Sequence, residues 1–168
     1  MAMRAKRVDA EHAIQLPAEL YGMPGHLIRR MHQASQAIFD AAIAEAGFDL
    51  TSVQFAALTM IAATPGLDQA TLATAIAFDR ATTGGVIDRL ETKGLVRREI
   101  AAGDRRSRRL YLESDGHAVL KGITPVVRRA QALMLSSLAD TERVTFLRLL
   151  SKALAGASSP NKPSRRTD

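Results

Sequence analysis

Apolar or small residues recur at Leu27, Met31, Ala34, Ile38 and Ala41, and these alternating steps of four and three predict a helix with a seam along one face. Pro24 suits its first turn and Gly47 its stop, which places this first helix over 24–46. Thr51, followed three residues later by Gln54, makes a capping box, so a second helix runs to about Ala63 before Thr64-Pro65-Gly66 breaks it. Asp68 caps a short helix with Leu72, Ala73 and Ile76 on one side. Asp79 caps another over 80–93, with Gly94 as its stop. Two helices joined by a turn near Ala77-Phe78 form a helix-turn-helix candidate. After Gly94 the period drops to two. Val96, Arg98 and Ile100 alternate with Leu95, Arg97 and Glu99, and alternation resumes over 108–112, so two strands flank a polar loop over 101–107. Ser114 caps a long helix that Pro125 should kink, and Asp140 starts a last helix with Val144, Leu147, Leu150 and Leu154 at steps of three and four.

The predicted fold is therefore mainly α with a small β-hairpin (α+β). At 168 residues and 46% hydrophobic, the chain suits one domain with its own core. Residues 1–21 mix charges without periodicity and read as an arm; 156–168, rich in Ser, Pro, Asn and Arg, read as a disordered tail. Between them, 22–155 form one domain: long apolar helices at its ends, 24–46 and 114–155, predict a homodimer, and the compact middle is 51–112. The chain has no cysteine, which excludes thiolate zinc sites, a cysteine nucleophile and thiol-oxidation sensing. It also lacks an apolar run of the roughly 18 residues needed for a span and the apolar core of a signal peptide, so a cytoplasmic location and no membrane partner are expected. His26 and His32 are six apart, off the four-residue spacing of a helical metal pair, so no metal or cofactor is expected. With neither a nucleophile elbow nor a glycine-rich phosphate loop, catalysis has no starting point.

A formal net charge of +6 permits a polyanionic partner without requiring one. Its placement is more informative. Segment 97–109 holds six arginines (Arg97, Arg98, Arg105, Arg106, Arg108 and Arg109) against Glu99 and Asp104, a net +4 directly behind the helix-turn-helix. Arginine offers a rigid fork of donors to phosphate and fits the negative potential of a narrow minor groove. The helix over 80–93 opens with Thr82, Thr83, Gly84 and Gly85, short residues that let a backbone approach base edges closely. Adjacent glycines cost about 1 kcal/mol each in helix propensity, which calls for a compensating close approach or a tolerant packing site.

The runs FDLTSVQFAAL, DQATLATAI, FDRATTGGVIDRLETKGLVRRE and GDRRSRRLYLESDG resemble the winged helix-turn-helix of the MarR family of bacterial transcription regulators, over about 27–154. The resemblance implies a homodimer on a pseudo-palindromic operator in double-stranded DNA, not an enzyme, with 80–93 in the major groove and the hairpin tip in the flanking minor groove. It implies that Arg80, Thr82, Thr83 and Gly84 open the recognition helix. Arg89 matches a basic position near phosphate or braced by the wing acid. In the wing, Arg106 would enter the minor groove with Asp104 orienting it, among Arg97, Arg105 and Arg108. Gly85 and Glu113-Ser114 depart from the family pattern. For Thr82 or Thr83 alone, ordinary helix surface is the competing reading. For the whole, the alternative is an architectural DNA-binding protein of little sequence preference and no effector.

PGHLIRRMHQASQAIF is similar to the part of this family that represses aromatic-acid catabolism, especially regulators of nicotinate degradation that answer to a hydroxylated nicotinate. That likeness implies a small aromatic carboxylate effector. His26, Arg29, Arg30 and His32 would supply its cation and donors, and Met31, Phe39 and Phe55 an apolar slot. The competing assignments are helix surface or dimer interface for the two histidines, and core for Met31, Phe39 and Phe55.

Overall fold

The computed structural model describes residues 18–101 and 104–157, the side chains of 18, 101 and 104–107 excepted. In order, its elements are α1 (Ala18–Tyr21), α2 (Pro24–Glu45), α3 (Ser52–Ala63), α4 (Gln69–Ala75), α5 (Arg80–Thr92), β1 (Val96–Ala101), β2 (Asp104–Leu112), α6 (Ser114–Met134) and α7 (Asp140–Ala157). Helix α1 was not foreseen within the arm over 1–21, and Gly156 and Ala157 close α7 instead of opening the tail. Residues 1–17 and 158–168, the rest of the expected arm and tail, lie outside the described residues.

Helix boundaries follow local chemistry. Thr51 Oγ1 accepts the Gln54 N–H at 3.3 Å while the Thr51 N–H donates to Gln54 Oε1 at 3.0 Å, completing the capping box. A D-x-A-T motif recurs at the next two helices. Asp68 accepts from the Thr71 N–H and hydroxyl, both at 2.9 Å, and Asp79 accepts from those of Thr82 at 2.8 and 2.6 Å. Ser114 is not the cap of α6: the cap position falls on Glu113, whose side chain makes no capping bond. At helix C-termini, Gly94 has φ +69° and the Leu95 N–H returns to the Leu90 carbonyl at 2.9 Å. The same closure ends α4, with Phe78 N–H on the Ala73 carbonyl at 3.0 Å, but there the left-handed residue is Ala77, at φ +57°.

Helix α3 lies at the centre, with Ala57, Leu58 and Ile61 fully buried. Around it pack Leu72 of α4, Ile87 and Leu90 of α5, Leu110 of β2 and Ile123 of α6, all fully buried. Helix α2 packs along α6 and sends Phe39 and Ile43 into this core. Its expected seam of Leu27, Met31, Ala34, Ile38 and Ala41 is not the buried face. Leu27, Ala34 and Ala41 are exposed, and Met31 and Ile38 half-buried. Helix α7 buries no residue, and Val144, Leu147 and Leu154 are 68%, 52% and 58% exposed. Pro125 lies within α6, which continues through it, while the Thr124 hydroxyl donates to the Leu120 carbonyl at 2.6 Å.

Strands β1 and β2 pair antiparallel, with Val96 opposite Leu112, Arg98 opposite Leu110 and Ile100 opposite Arg108. Pairing reaches Asp104, so the polar loop is shorter than the predicted 101–107, and the register shifts between Ile100 and Ala101. The segment before α4 joins the other edge of β2: Gly66 N–H donates to the Leu110 carbonyl at 2.8 Å and Leu110 N–H to the Leu67 carbonyl at 3.1 Å. Leu110 thereby ties the hairpin to the helix-turn-helix. Gly116 sits against the backbone of Leu95, whose carbonyl oxygen would lie 2.1 Å from an added Cβ.

Two substitutions test these backbone constraints. Gly116→Ala should lose about 1–3 kcal/mol in urea unfolding despite alanine's better helix propensity, because the Leu95 backbone must move. Ala77→Gly should gain up to about 1 kcal/mol, by relieving an alanine held in the left-handed region.

Candidate nucleic-acid interface

Helix α5 has two faces. Thr83, Val86, Ile87 and Leu90, at helical spacing, are buried against the core, which leaves Arg80, Ala81, Thr82, Asp88, Arg89 and Thr92 exposed. This corrects one expected contact. Thr83 is fully buried and its hydroxyl donates to the Asp79 carbonyl at 2.8 Å, so it faces the core and not a duplex. Thr82 is exposed. The glycines differ: Gly84 lies under Gln69, whose Nε2 would be 3.1 Å from an added Cβ, while Gly85 has nothing within 4 Å. Gln69 Nε2 also donates to the Arg80 carbonyl at 3.3 Å, so close approach of α4 to the start of α5 explains Gly84. Arg89 borders an open cleft of about 330 Å³ with Thr51, Gln54 and Lys93, and Lys93 is itself paired with Asp49 at 2.7 Å.

The six arginines of the hairpin divide by position. At its base, Arg97 stacks over the Tyr111 ring, 4.7 Å from the centroid, and pairs with Glu99 at 2.9 Å and Glu113 at 3.5 Å. Arg98 reaches back to Asp88 at 2.5 Å and Glu91 at 2.7 Å, both on α5. Arg109 donates to the Gly66 carbonyl at 3.0 Å. Each therefore ties the hairpin to another part of the fold, and Arg97, expected on DNA, is occupied within the protein. Arg108 is exposed on β2. The side chains of Asp104, Arg105 and Arg106 lie outside the described residues.

The seven residues expected at an effector site fall in three places. His26 sets its ring edge-on to Tyr21 at 5.7 Å, and the Arg30 guanidinium lies 5.3 Å above the same Tyr21 ring. His26 Nε2 is buried without a hydrogen-bond partner. Arg29 is exposed beside this cluster on α2. Met31 and His32 line an apolar groove of about 300 Å³ with Leu27, Ile28, Phe146 and Leu150, between α2, the end of α6 and α7. Phe39 is 3% exposed, its ring 6.3 Å from that of Phe55, so it fills the core and lines no open slot. A second groove of about 640 Å³ runs between α2 and α6, floored by alanines and edged by Glu45 and Arg129.

Sequence reasoning missed the acids Asp88 and Glu91, the aromatic partners Tyr21 and Tyr111, and Gln69. The spacing of Asp88 and Glu91 on one helix edge was visible, but their meeting with Arg98 depends on how β1 folds back beside α5.

A MarR family profile matches residues 50–107. The HTH-type transcriptional repressor NicR of Pseudomonas putida is 35% identical over 138 residues, 82% of this chain and 86% of that protein. Among solved structures, the PcaV transcriptional regulator of Streptomyces coelicolor in complex with its natural ligand superposes with a TM-score of 0.76 at 31% identity, covering 84% of this chain and 99% of that one. BpsR of Bordetella bronchiseptica, whose DNA binding is regulated by 6-hydroxynicotinic acid, gives 0.76 at 30% identity, with 82% and 97% covered. Among the described residues no helix is long and apolar enough to cross a membrane.

The capping aspartates make the helix-turn-helix acid-sensitive. Hydrogen bonds from Thr71 hold the Asp68 carboxyl below its ordinary value of 3.8, and those from Thr82 do the same for Asp79. With folded-state values depressed, their stabilisation is complete above pH 3.8 and is lost as pH falls through the folded values. Asp79→Asn, which retains a capping oxygen, should leave the melting temperature at pH 7 nearly unchanged and flatten its fall below about pH 4. In urea at pH 7, Gly85→Ala should gain about 1 kcal/mol, and Gly84→Ala less, because Gln69 must give way.

Proposed function

The chain belongs to the MarR family, and from that premise we propose that it is a dimeric, ligand-responsive transcriptional repressor, released from its operator by a small aromatic carboxylate. The observation that carries this reading is the division of α5: one face locked in the core, the other presenting Arg80, Thr82 and Arg89 to solvent directly ahead of the arginine-bearing hairpin. A recognition helix laid in the major groove needs that arrangement, with the wing reaching the flanking minor groove through Arg105, Arg106 and Arg108. The Thr82 hydroxyl proton is committed to Asp79. Its remaining lone pairs suit an exocyclic amino group, adenine N6 or cytosine N4.

Two copies would place their recognition helices about one DNA turn apart, roughly 34 Å. The apolar residues exposed on α7, and those lining the groove between α2 and α7, supply an apolar surface for such a dimer. The likeness to BpsR favours a hydroxylated nicotinate or similar aromatic acid as effector. His26, Arg29 and Arg30 at the start of α2 would hold its carboxylate. An effector there shifts the population only by preferring the DNA-misfitting state over the fitting one.

Fluorescence anisotropy on a selected operator duplex, titrated with a panel of aromatic acids including 6-hydroxynicotinate, tests this. At least one acid should weaken binding between about fivefold and 150-fold. An acid shown to bind without release would sink induction by that acid, and failure of the whole panel would sink the effector reading. Arg106→Ala should weaken DNA binding by about 1–3 kcal/mol and reduce its salt slope.

A further inference from the structure

Among the described residues of the hairpin, Arg98 is the arginine whose guanidinium spans two acids of α5. Its Nη2 meets Asp88 Oδ1 at 2.5 Å and its Nη1 meets Glu91 Oε2 at 2.7 Å. The Arg98 side chain is only 22% exposed, against 65% for Asp88 and 41% for Glu91. Asp88 and Glu91 sit three residues apart, in the C-terminal half of α5. Arg98 itself pairs in the sheet with Leu110, the residue whose backbone also binds Gly66 and Leu67. A continuous link thus runs from α5 through Arg98 and β1 to β2 and on to the start of α4.

We propose that Arg98 is a positioning residue for DNA reading: it fixes the angle of α5 to the wing and neutralises Asp88 and Glu91 beside the duplex, without touching DNA itself. This rests on the DNA-binding reading above. The lever arm gives the reason. Thirteen helical residues span about 20 Å, so a pivot of about 10° at the C-terminal end of α5 carries its N-terminal end about 3 Å. Hydrogen bonds to base edges tolerate a small fraction of that displacement. An ion pair this near the surface adds little to global stability, yet a two-pronged arginine fork is directional. Freed of Arg98, Asp88 and Glu91 would also repel phosphates.

The test compares Arg98→Met, the double variant Asp88→Asn with Glu91→Gln, and the triple combination. Each is measured on a duplex selected for tight binding from a random pool and on a scrambled duplex of equal length, between about 50 and 200 mM salt. Arg98→Met should lower affinity for the selected duplex about tenfold or more and shrink its ratio over the scrambled one, with the salt slope lowered by less than the roughly 0.9 of a lost phosphate contact. In the background lacking both acids, Arg98→Met should add no further loss. A slope lowered by about 0.9, with the loss persisting in that background, would mean that Arg98 binds phosphate and would overturn the proposal. So would wild-type affinity and ratio in Arg98→Met. If Arg98→Met does not fold, Arg98→Lys serves: it keeps the charge but not the fork, so a reduced ratio at unchanged slope supports positioning and a wild-type ratio refutes it. If the unmodified protein fails to discriminate between the duplexes, the DNA-reading function falls first and the proposal with it. Discrimination without the Arg98 effect removes the proposal alone.

Discussion

Helix α5 has thirteen residues and must serve two surfaces, and the burial of one determines the other. Val86, Ile87 and Leu90 insert beneath α3, α4 and β1 with Thr83 beside them, and nearly nothing of these four side chains reaches solvent. Burying a large aliphatic side chain is worth about 1.5–3 kcal/mol, so rotating α5 to expose that seam would forfeit several kcal/mol. No surface ion pair offsets a loss of that size. The rotational setting of the helix is therefore a core-packing outcome, and the outward set of Arg80, Thr82 and Arg89 follows from it. The paired capping motifs at Asp68 and Asp79 then fix where α4 and α5 begin, so the helix-turn-helix is held by its core seam and by its caps together.

The hairpin is held by arginines acting on the protein itself. Arg97, Arg98 and Arg109 each bind a different neighbour: the base of α6 through Glu113, the outer edge of α5, and the segment ahead of α4. Acids from outside the hairpin thus offset part of a charge that looks wholly available when counted along the sequence. On the solvent face of α5, Arg80 and Arg89 stay exposed.

At the opposite end, α2 and α7 carry apolar faces that the single chain leaves open. Phe39 and Ile43 bind α2 to the core, while Leu27, Ile28 and Leu150 of α7 border a groove. A helix with no buried residue of its own gains stability from packing against something else, since propensity alone sustains such a helix only marginally. The cluster of Tyr21, His26 and Arg30 stands at this same end, so a ligand there would lie close to the surface on which a second copy would seat.

The sequence by itself determined the order and bounds of most elements, because these depend on local chemistry. Thr51 with Gln54, Asp68, Asp79, Gly47 and Gly94 act within a few residues of themselves, and the change of period after Gly94 is visible without any fold. The motif order was equally legible, and with it the family. Local spacing did not reveal which of two similar residues faces inward. Thr83 and Thr82 are neighbours of the same type, yet one is buried and the other exposed. Gly84 and Gly85 likewise differ only in that Gln69 of α4 lies over the first. The helix α1, the extra strand pairing to Asp104 and the partners of Arg97, Arg98 and Arg109 also waited on the fold. In the case of Arg98 and Arg109, a guanidinium finds its carboxylate or carbonyl across 7 to 43 residues of chain, a distance that only tertiary packing closes.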